Sequence, residues 1–255
     1  MKLGTALIPG PGLERRILVS PLPSDPERVV DLHAVEAERL RKLGEGQPRA
    51  LAEALLPPSL RRLLEAGPRA LQRAAQTLAF AEKWARRGTL PEDYAPTLKD
   101  LRLLPCLPRP SSLRLPDGSF GDRLGLRGPE ARLPWSPGLE ARPTLAAIGQ
   151  AASRPAGFAL ALMVGDELLL GGWLHTEFLL EGGLSLHGKA GTREVPLSTW
   201  ADLALPPLRP CELLLLPFPE WEPLHPLPGE RLKLETPFGS LAVRLGREGT
   251  HPTLQ

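Results

Sequence analysis

The sequence contains no asparagine and has few of the residues that mark specialised classes of protein. Only two of its 255 residues are cysteines, Cys106 and Cys211, and they are far apart. Neither has a partner at the spacing of a zinc site, and a small secreted disulfide framework uses more cysteines. We therefore expect two free thiols in a reducing, cytoplasmic environment.

An excess of charge of one sign is also missing. The chain has 31 basic and 29 acidic residues, which gives a formal net charge of +2. Such a balance offers no overall attraction for nucleic acid or for an anionic membrane. The start, MKLGTALIPG, lacks the pattern of a signal peptide, and apolar runs such as FALALMVG are too short to span a bilayer. We expect neither a nucleic-acid partner nor a membrane partner.

The absence of asparagine coincides with 31 prolines and with a preference for arginine over lysine. Few thermolabile amides and many prolines are typical of proteins from thermophiles. The arginine excess follows equally well from a GC-rich genome. Neither interpretation bears on function.

Familiar catalytic and ligand-binding motifs are absent as well. The sequence has no glycine-rich phosphate loop, HExxH, paired CxxC or GxSxG. None of the histidines has another histidine or a cysteine at metal-ligand spacing; they are His33, His175, His187, His225 and His251. His175 and His187 lie in strand-like stretches and are expected to be structural or at the surface.

Two further sets of ionisable side chains are expected to be solvated surface groups and not catalytic groups. Glu220 and Glu222 lie in PEWEP, between prolines, where carboxylates are usually solvated and not an acid–base pair. Lys189 lies in HGKAG, at the expected tip of a hairpin, and nothing in the sequence indicates a lowered pKa.

The hydrophobic pattern predicts an α+β protein. Short strands are expected at 15–20 and 28–32, and helical spacing follows over 34–46. A short and a long helix are expected over 59–88, with a break at Gly67–Pro68. We therefore predict a small strand-and-helix domain over residues 1–95 and a larger β-rich domain over 96–255.

The second half alternates between strand and turn signals. GLEARPTLAAIGQ, residues 138–150, predicts a buried strand that enters from a turn. Breaks between later strands are expected at Gly165–Asp166, Gly171–Gly172 and Gly182–Gly183. A hairpin is predicted over 230–245 around TPFGS.

The order of these phrases resembles the fumarylacetoacetate hydrolase family. The resemblance covers nearly the whole chain and rests on RVVDL, LRLLPCLPRPSSLR, LEARPTLAAIG, GFALALMV, GGWLHT, RPCELLLLPFPEW and LPGERLKLETPFGSLAVRL. It implies that the larger domain is a mixed β-roll. It also implies a Mg²⁺ or Ca²⁺ ion among carboxylates, which polarises an oxo-acid substrate for C–C cleavage, decarboxylation or isomerisation.

The family's metal ligands do not carry over to this chain. Its two strand glutamates fall on Arg142 and Thr144, and its aspartate falls on Met163, beside Leu162. The glycine–threonine pair that helps to hold a substrate carboxylate falls on Pro217–Phe218, while Glu220 remains. The loop with the family's histidine is missing, and the segment with its lysine has shrunk to GDELLL.

The resemblance therefore implies a vestigial pocket formed by Arg142, Thr144, Met163, Phe218 and Glu220. The formal charge at the three ligand positions changes from about −3 to about +1, which would repel a divalent cation. We expect no metal and no other cofactor.

Three functional hypotheses follow. The first is a catalytically degenerate protein with a structural or interaction role, as a homodimer or as a heteromer with a paralogue of the family. The second is an enzyme acting on 2-oxo or 1,3-diketo acids, with Arg142 binding the substrate carboxylate, and the third is a carboxylate-binding module. Arg142 facing solvent, with Met163 packed on Leu162, would favour the first. Arg142 inside a pocket would favour the others.

Overall fold

The computed structural model describes residues 1–9, 15–121, 124–151, 155–176, 183–189, 191–197, 205–216, 223–236 and 239–247. The first part of the chain forms three strands, β1 (Lys2–Ile8), β2 (Arg15–Leu22) and β3 (Asp25–Asp31), in an antiparallel arrangement. Four helices follow: α1 (Leu32–Lys42), α2 (Pro48–Leu55), α3 (Leu60–Ala66) and α4 (Pro68–Arg86).

The helix boundaries follow local sequence signals. The carboxylate of Asp31 accepts a hydrogen bond from the Ala34 amide at 3.1 Å and caps α1, so this helix begins two residues before the predicted segment. The break at Gly67 is confirmed: this residue has φ +85°, which glycine tolerates best, and Pro68 opens α4. Helix α2 was not predicted, although Pro48 in its first turn is a usual start signal.

The rest of the chain is β-rich. Its strands are β4 (Arg102–Leu103), β5 (Ser112–Arg114), β6 (Gly125–Arg127), β7 (Ala131–Leu133), β8 (Ala141–Gly149), β9 (Pro155–Val164), β10 (Glu167–Leu170), β11 (Leu174–His175), β12 (Gly183–Gly188), β13 (Gly191–Pro196), β14 (Glu212–Leu215), β15 (Arg231–Thr236) and β16 (Gly239–Leu245). The predicted breaks at Gly165–Asp166 and Gly171–Gly172 and the hairpin of β15 and β16 are confirmed. The break predicted at Gly182–Gly183 falls partly outside the described residues.

The strands form two sheets. The larger has 11 strands with the path β3-β2-β1-β11-β9-β8-β14-β5, and β4, β6 and β10 pair beside it. The smaller has the order β13-β12-β15-β16-β7. Most pairs are antiparallel, and the β6–β10, β5–β14 and β7–β16 pairs are parallel. The predicted α+β class with a mixed β-roll is confirmed.

Strand β8 is covered on both faces. Ala146 and Ile148 belong to the core between the large sheet and the helices, whereas Leu145 and Ala147 belong to the core between the two sheets. Successive side chains of a strand point to opposite faces, so a nearly continuous apolar run is what this position requires.

The two parts of the chain share structure. Strand β1 pairs with β11, with Lys2 opposite His175, so one sheet crosses the predicted boundary at residue 95. That boundary remains a prediction. Among the described residues, no helix is long and apolar enough to cross a membrane.

Candidate functional site

The pairing of β8 with β9 brings two of the expected site residues together. Arg142 lies directly opposite Met163, and Thr144 lies opposite Ala161. All four side chains therefore share one face of the large sheet, the face that also carries Ala146 and Ile148 toward the helices. Phe218 and Glu220, the other two expected residues, lie outside the described part of the chain.

Arg142 pairs with the carboxylate of Glu140, the residue just before β8. Its Nη2 atom lies 2.6 Å from Oε2 of Glu140, and its Nε atom donates to the same oxygen at 3.2 Å. Both side chains are a little over two-fifths exposed, at 43% and 42%. The Arg142–Glu140 pair has no net charge, so the positive charge that the sequence predicts at the ligand positions is balanced by Glu140.

Thr144 is completely buried, and its hydroxyl is already engaged. The Oγ1 atom donates a hydrogen bond to the carbonyl oxygen of Leu216 at 3.1 Å. This contact ties β8 to the end of β14, two strands that also pair through their backbones. The hydroxyl is therefore engaged in holding the two strands together.

Met163 and Leu162 do not pack together, contrary to the arrangement expected for a degenerate pocket. Met163 packs against the core between the large sheet and the helices, and Leu162 belongs to the core between the two sheets. The reason is geometric, because neighbouring residues of a strand point to opposite faces. The packing of these two residues therefore does not distinguish between the three functional hypotheses.

The residues at these positions do not fit a hard divalent cation. Mg²⁺ and Ca²⁺ require several oxygen ligands, and this stretch offers a guanidinium, an engaged hydroxyl and a thioether. The nearest carboxylate along the strand, that of Glu140, is paired with Arg142. Within the described ranges, no group of three histidine, cysteine, aspartate or glutamate side chains is placed to hold a metal ion.

The other candidate side chains have structural surroundings. His175 is buried, and burial together with the charges of Lys2 and the N-terminal amine lowers its pKa to about 4. His187 is partly exposed and lies 3.2 Å from Glu235. Burial raises the pKa of the Cys106 thiol and raises that of Cys211 to about 11, and both cysteines are free. Neither thiol is activated as a nucleophile.

A cavity of about 1020 Å³ lies away from this strand pair, between β2, β3, α1 and the segment around Tyr94. Two of its arginines form ion pairs: Arg41 pairs with Glu38, and Arg15 at the rim pairs with Asp31. Sequence reasoning missed this cavity because its lining residues are scattered over the first 100 positions without a motif.

Comparison with known proteins gives a likeness of structure. No protein-family model matches the chain, and no curated protein matches it by sequence. Maleylpyruvate hydrolase from Sphingobium sp. SYK-6 is similar in structure at 17% identity and a TM-score of 0.59, over 97% of this chain and 100% of that chain. A protein from Mycobacterium abscessus is similar at 14% identity and a TM-score of 0.53, with coverage of 97% and 100%.

A third similar structure is 2-keto-3-deoxy-D-arabinonate dehydratase in complex with magnesium and 2,5-dioxopentanoate. It is 9% identical, with a TM-score of 0.54 over 98% of this chain and 100% of that chain. Identities this low show the fold alone. The fold implied by the sequence resemblance is confirmed.

Proposed function

We propose that this protein is a catalytically degenerate member of the fumarylacetoacetate hydrolase fold that acts through association with another protein chain, either a second copy or a paralogue of the family. The observation that carries the proposal is the pairing of Arg142 with Glu140 beside the fully buried Thr144. At the two positions where the resemblance places metal-binding glutamates, Arg142 is engaged by Glu140 and Thr144 by the Leu216 carbonyl.

The lack of suitable oxygen donors is the stronger part of this argument. A neutral Arg142–Glu140 pair repels a cation only weakly, so repulsion alone does not prevent binding. Mg²⁺ gives up its water only to well-placed oxygens, and Met163 supplies sulfur where the resemblance implies a carboxylate. On this proposal, the protein performs no metal-dependent cleavage of acylpyruvates.

Isothermal titration with Mg²⁺, Mn²⁺ and Ca²⁺ tests the proposal directly. We expect no stoichiometric binding to the wild type, and the same result for Glu140→Gln, which removes the carboxylate that pairs with Arg142. Micromolar binding that Glu140→Gln abolishes would mean that this stretch is a working metal site. Hydrolysis of acetylpyruvate that depends on the ion would lead to the same conclusion.

A carboxylate-binding module is the second candidate, because the Arg142 guanidinium stays accessible although it pairs with Glu140. An ion pair that is about two-fifths exposed is weak and exchanges readily with a competing carboxylate. Arg127 is a matched control, because it lies in the same sheet, is 54% exposed and pairs with Glu167. Pyruvate binding that is lost in Arg142→Gln but kept in Arg127→Gln would favour the module over the degenerate protein.

The interaction role predicts that the isolated chain is not a monomer, or that a paralogue captures it. Light scattering is expected to give roughly twice the mass of 27.7 kDa, because closed dimers are the commonest assembly. A mass of 27.7 kDa at every accessible concentration, with no family paralogue recovered from the native organism by co-purification, would contradict the role.

A further inference from the structure

Three arginines lie directly opposite one another across the smaller sheet. In the backbone register, Arg231 of β15 faces Arg244 of β16, and Arg244 faces Arg132 of β7. All three side chains are exposed, and they line the same groove of about 560 Å³. Directly opposite residues on adjacent strands point to the same side and lie about 5 Å apart.

The basic row extends beyond these strands. Strand β12 pairs with β15 so that His187 faces Lys233, and the same register carried two residues further places Lys189 beside Arg231. Arg247 also lines the groove. Five cationic side chains thus border one concavity, and no acidic side chain is among the groove residues that the structure describes.

The three opposed arginines have no ion-pair partner among the side chains that the structure describes. Arg132, Arg231 and Arg244 form no ion pair there, and the nearest buried carboxylate, that of Glu230, accepts the backbone amides of Leu227 and Lys189. Like charges directly opposite on a sheet destabilise it. Two residues further along β15, Lys233 pairs with Glu235, so the same surface has an ordinary neutralised arrangement nearby.

We propose that this groove, the arginine ladder of Arg132, Arg231 and Arg244 with Lys189 and Arg247, is a binding site for a small molecule that carries a di- or triphosphate group. Guanidinium groups bind phosphate oxygens in a bidentate manner, and a polyphosphate concentrates several negative charges in a small volume. A single carboxylate would neutralise only one of the three opposed arginines.

The dimensions of the site favour a compact ligand over a nucleic acid. The groove volume of about 560 Å³ lies within the range of small-molecule pockets. The positive strip ends at the next residues of the same face, where Glu235 neutralises Lys233 and contacts His187. A nucleic acid needs a longer continuous basic surface.

Calorimetric titration of the full chain with inorganic tripolyphosphate tests the proposal, and Arg244→Gln is the decisive variant because Arg244 is the centre of the ladder. We expect 1:1 binding by the wild type and a weakening of roughly tenfold or more in Arg244→Gln. Arg16→Gln is the matched control, because Arg16 is also an exposed strand arginine but lies in the other sheet. Its affinity should equal that of the wild type.

A second measurement separates binding from folding. Without ligand, Arg244→Gln should melt at the same temperature as the wild type or higher, since the substitution relieves repulsion between like charges. With tripolyphosphate, the wild type and Arg16→Gln should gain melting temperature and Arg244→Gln should gain less.

Comparison of ligands identifies the source of the phosphate group. Equal affinity for ATP and tripolyphosphate would assign recognition to the phosphates alone, and tighter binding of ATP would assign a nucleotide; both support the site. The proposal is overturned if tripolyphosphate does not bind, if Arg16→Gln weakens binding as much as Arg244→Gln, or if a single-stranded oligonucleotide binds more tightly than tripolyphosphate.

Discussion

At the scale of single residues, two positions of the proposed vestigial pocket make structural contacts. Thr144 donates its hydroxyl to the Leu216 carbonyl, and Arg142 holds Glu140 at the start of β8. The first contact joins β8 to the residue after β14, and the second is local to the start of β8. The side chains at these positions therefore contribute to holding the strands in place, which is compatible with the loss of a metal site.

His175 is the residue whose protonation should influence stability most clearly. Its pKa is lowered to about 4 in the folded protein from an ordinary value of 6.5, because the side chain is buried. Between these values the unfolded chain binds more protons than the folded one, so stability is lost as the pH falls from 6.5 toward 4. The loss should amount to about 3 kcal/mol.

Urea unfolding at pH 7.5 and pH 4.5 measures this effect. In His175→Gln the difference in unfolding free energy between the two pH values should be smaller than in the wild type. His187→Gln is the control, since His187 is partly exposed. If His175→Gln keeps the full pH dependence of the wild type, the burial of His175 does not control its protonation.

At the scale of elements, α1 and α4 are joined by a buried carboxylate. Glu36 is completely buried and accepts hydrogen bonds from Arg39 of its own helix and from Arg73 and Thr77 of α4, at 2.5 to 3.0 Å. Burial alone would raise the pKa of Glu36, but these hydrogen bonds outweigh it and lower the pKa. The helical periodicity predicted both helices but not this link between them.

Removal of the Glu36 carboxylate should weaken the interaction between α1 and α4. We expect Glu36→Ala to reduce the free energy of unfolding by about 3 kcal/mol, because it leaves Arg39 and Arg73 partly buried without their partner. Glu53→Ala on α2 is the control, as Glu53 is exposed, and it should change stability by less than about 0.5 kcal/mol. Equal effects of the two substitutions in denaturant unfolding would contradict this role of Glu36.

At the scale of the whole molecule, the two parts of the chain share one core. The core beneath the helices contains Leu3 and Leu63 from the first part and Ile148 and Leu213 from the second. Strand β1 also completes the large sheet through β11. The molecule should therefore unfold in a single step, although the sequence suggests two domains.

A tryptophan substitution makes this expectation measurable. Trp84 is the only one of the five tryptophans that precedes residue 96, so in Trp84→Phe the fluorescence reports on the second part alone. Far-UV circular dichroism at 222 nm reports mainly on the helices, which in the described structure lie between residues 32 and 86. Coincident midpoints are expected from the two signals. Two separated transitions would show that the parts are independent domains.

Local sequence determined much of this protein. Strand alternation, the glycine break between α3 and α4, the β15–β16 hairpin and the absence of acids at the expected ligand positions were all readable in the sequence, because each depends on neighbouring residues. Helix α2 was not predicted, because a helix of eight residues shows little hydrophobic periodicity.

Only the tertiary structure decided which distant groups meet. The pairing of β7 with β16 brings Arg132 beside Arg244, and the hydroxyl of Thr144 reaches a carbonyl beyond β14. The net charge of +2 gave no sign of the arginine ladder. Composition only adds up the charges, whereas the fold gathers several basic side chains in one groove and pairs many of the others. Register between strands far apart in sequence depends on packing against both cores, and that information is not present in any short stretch of the chain.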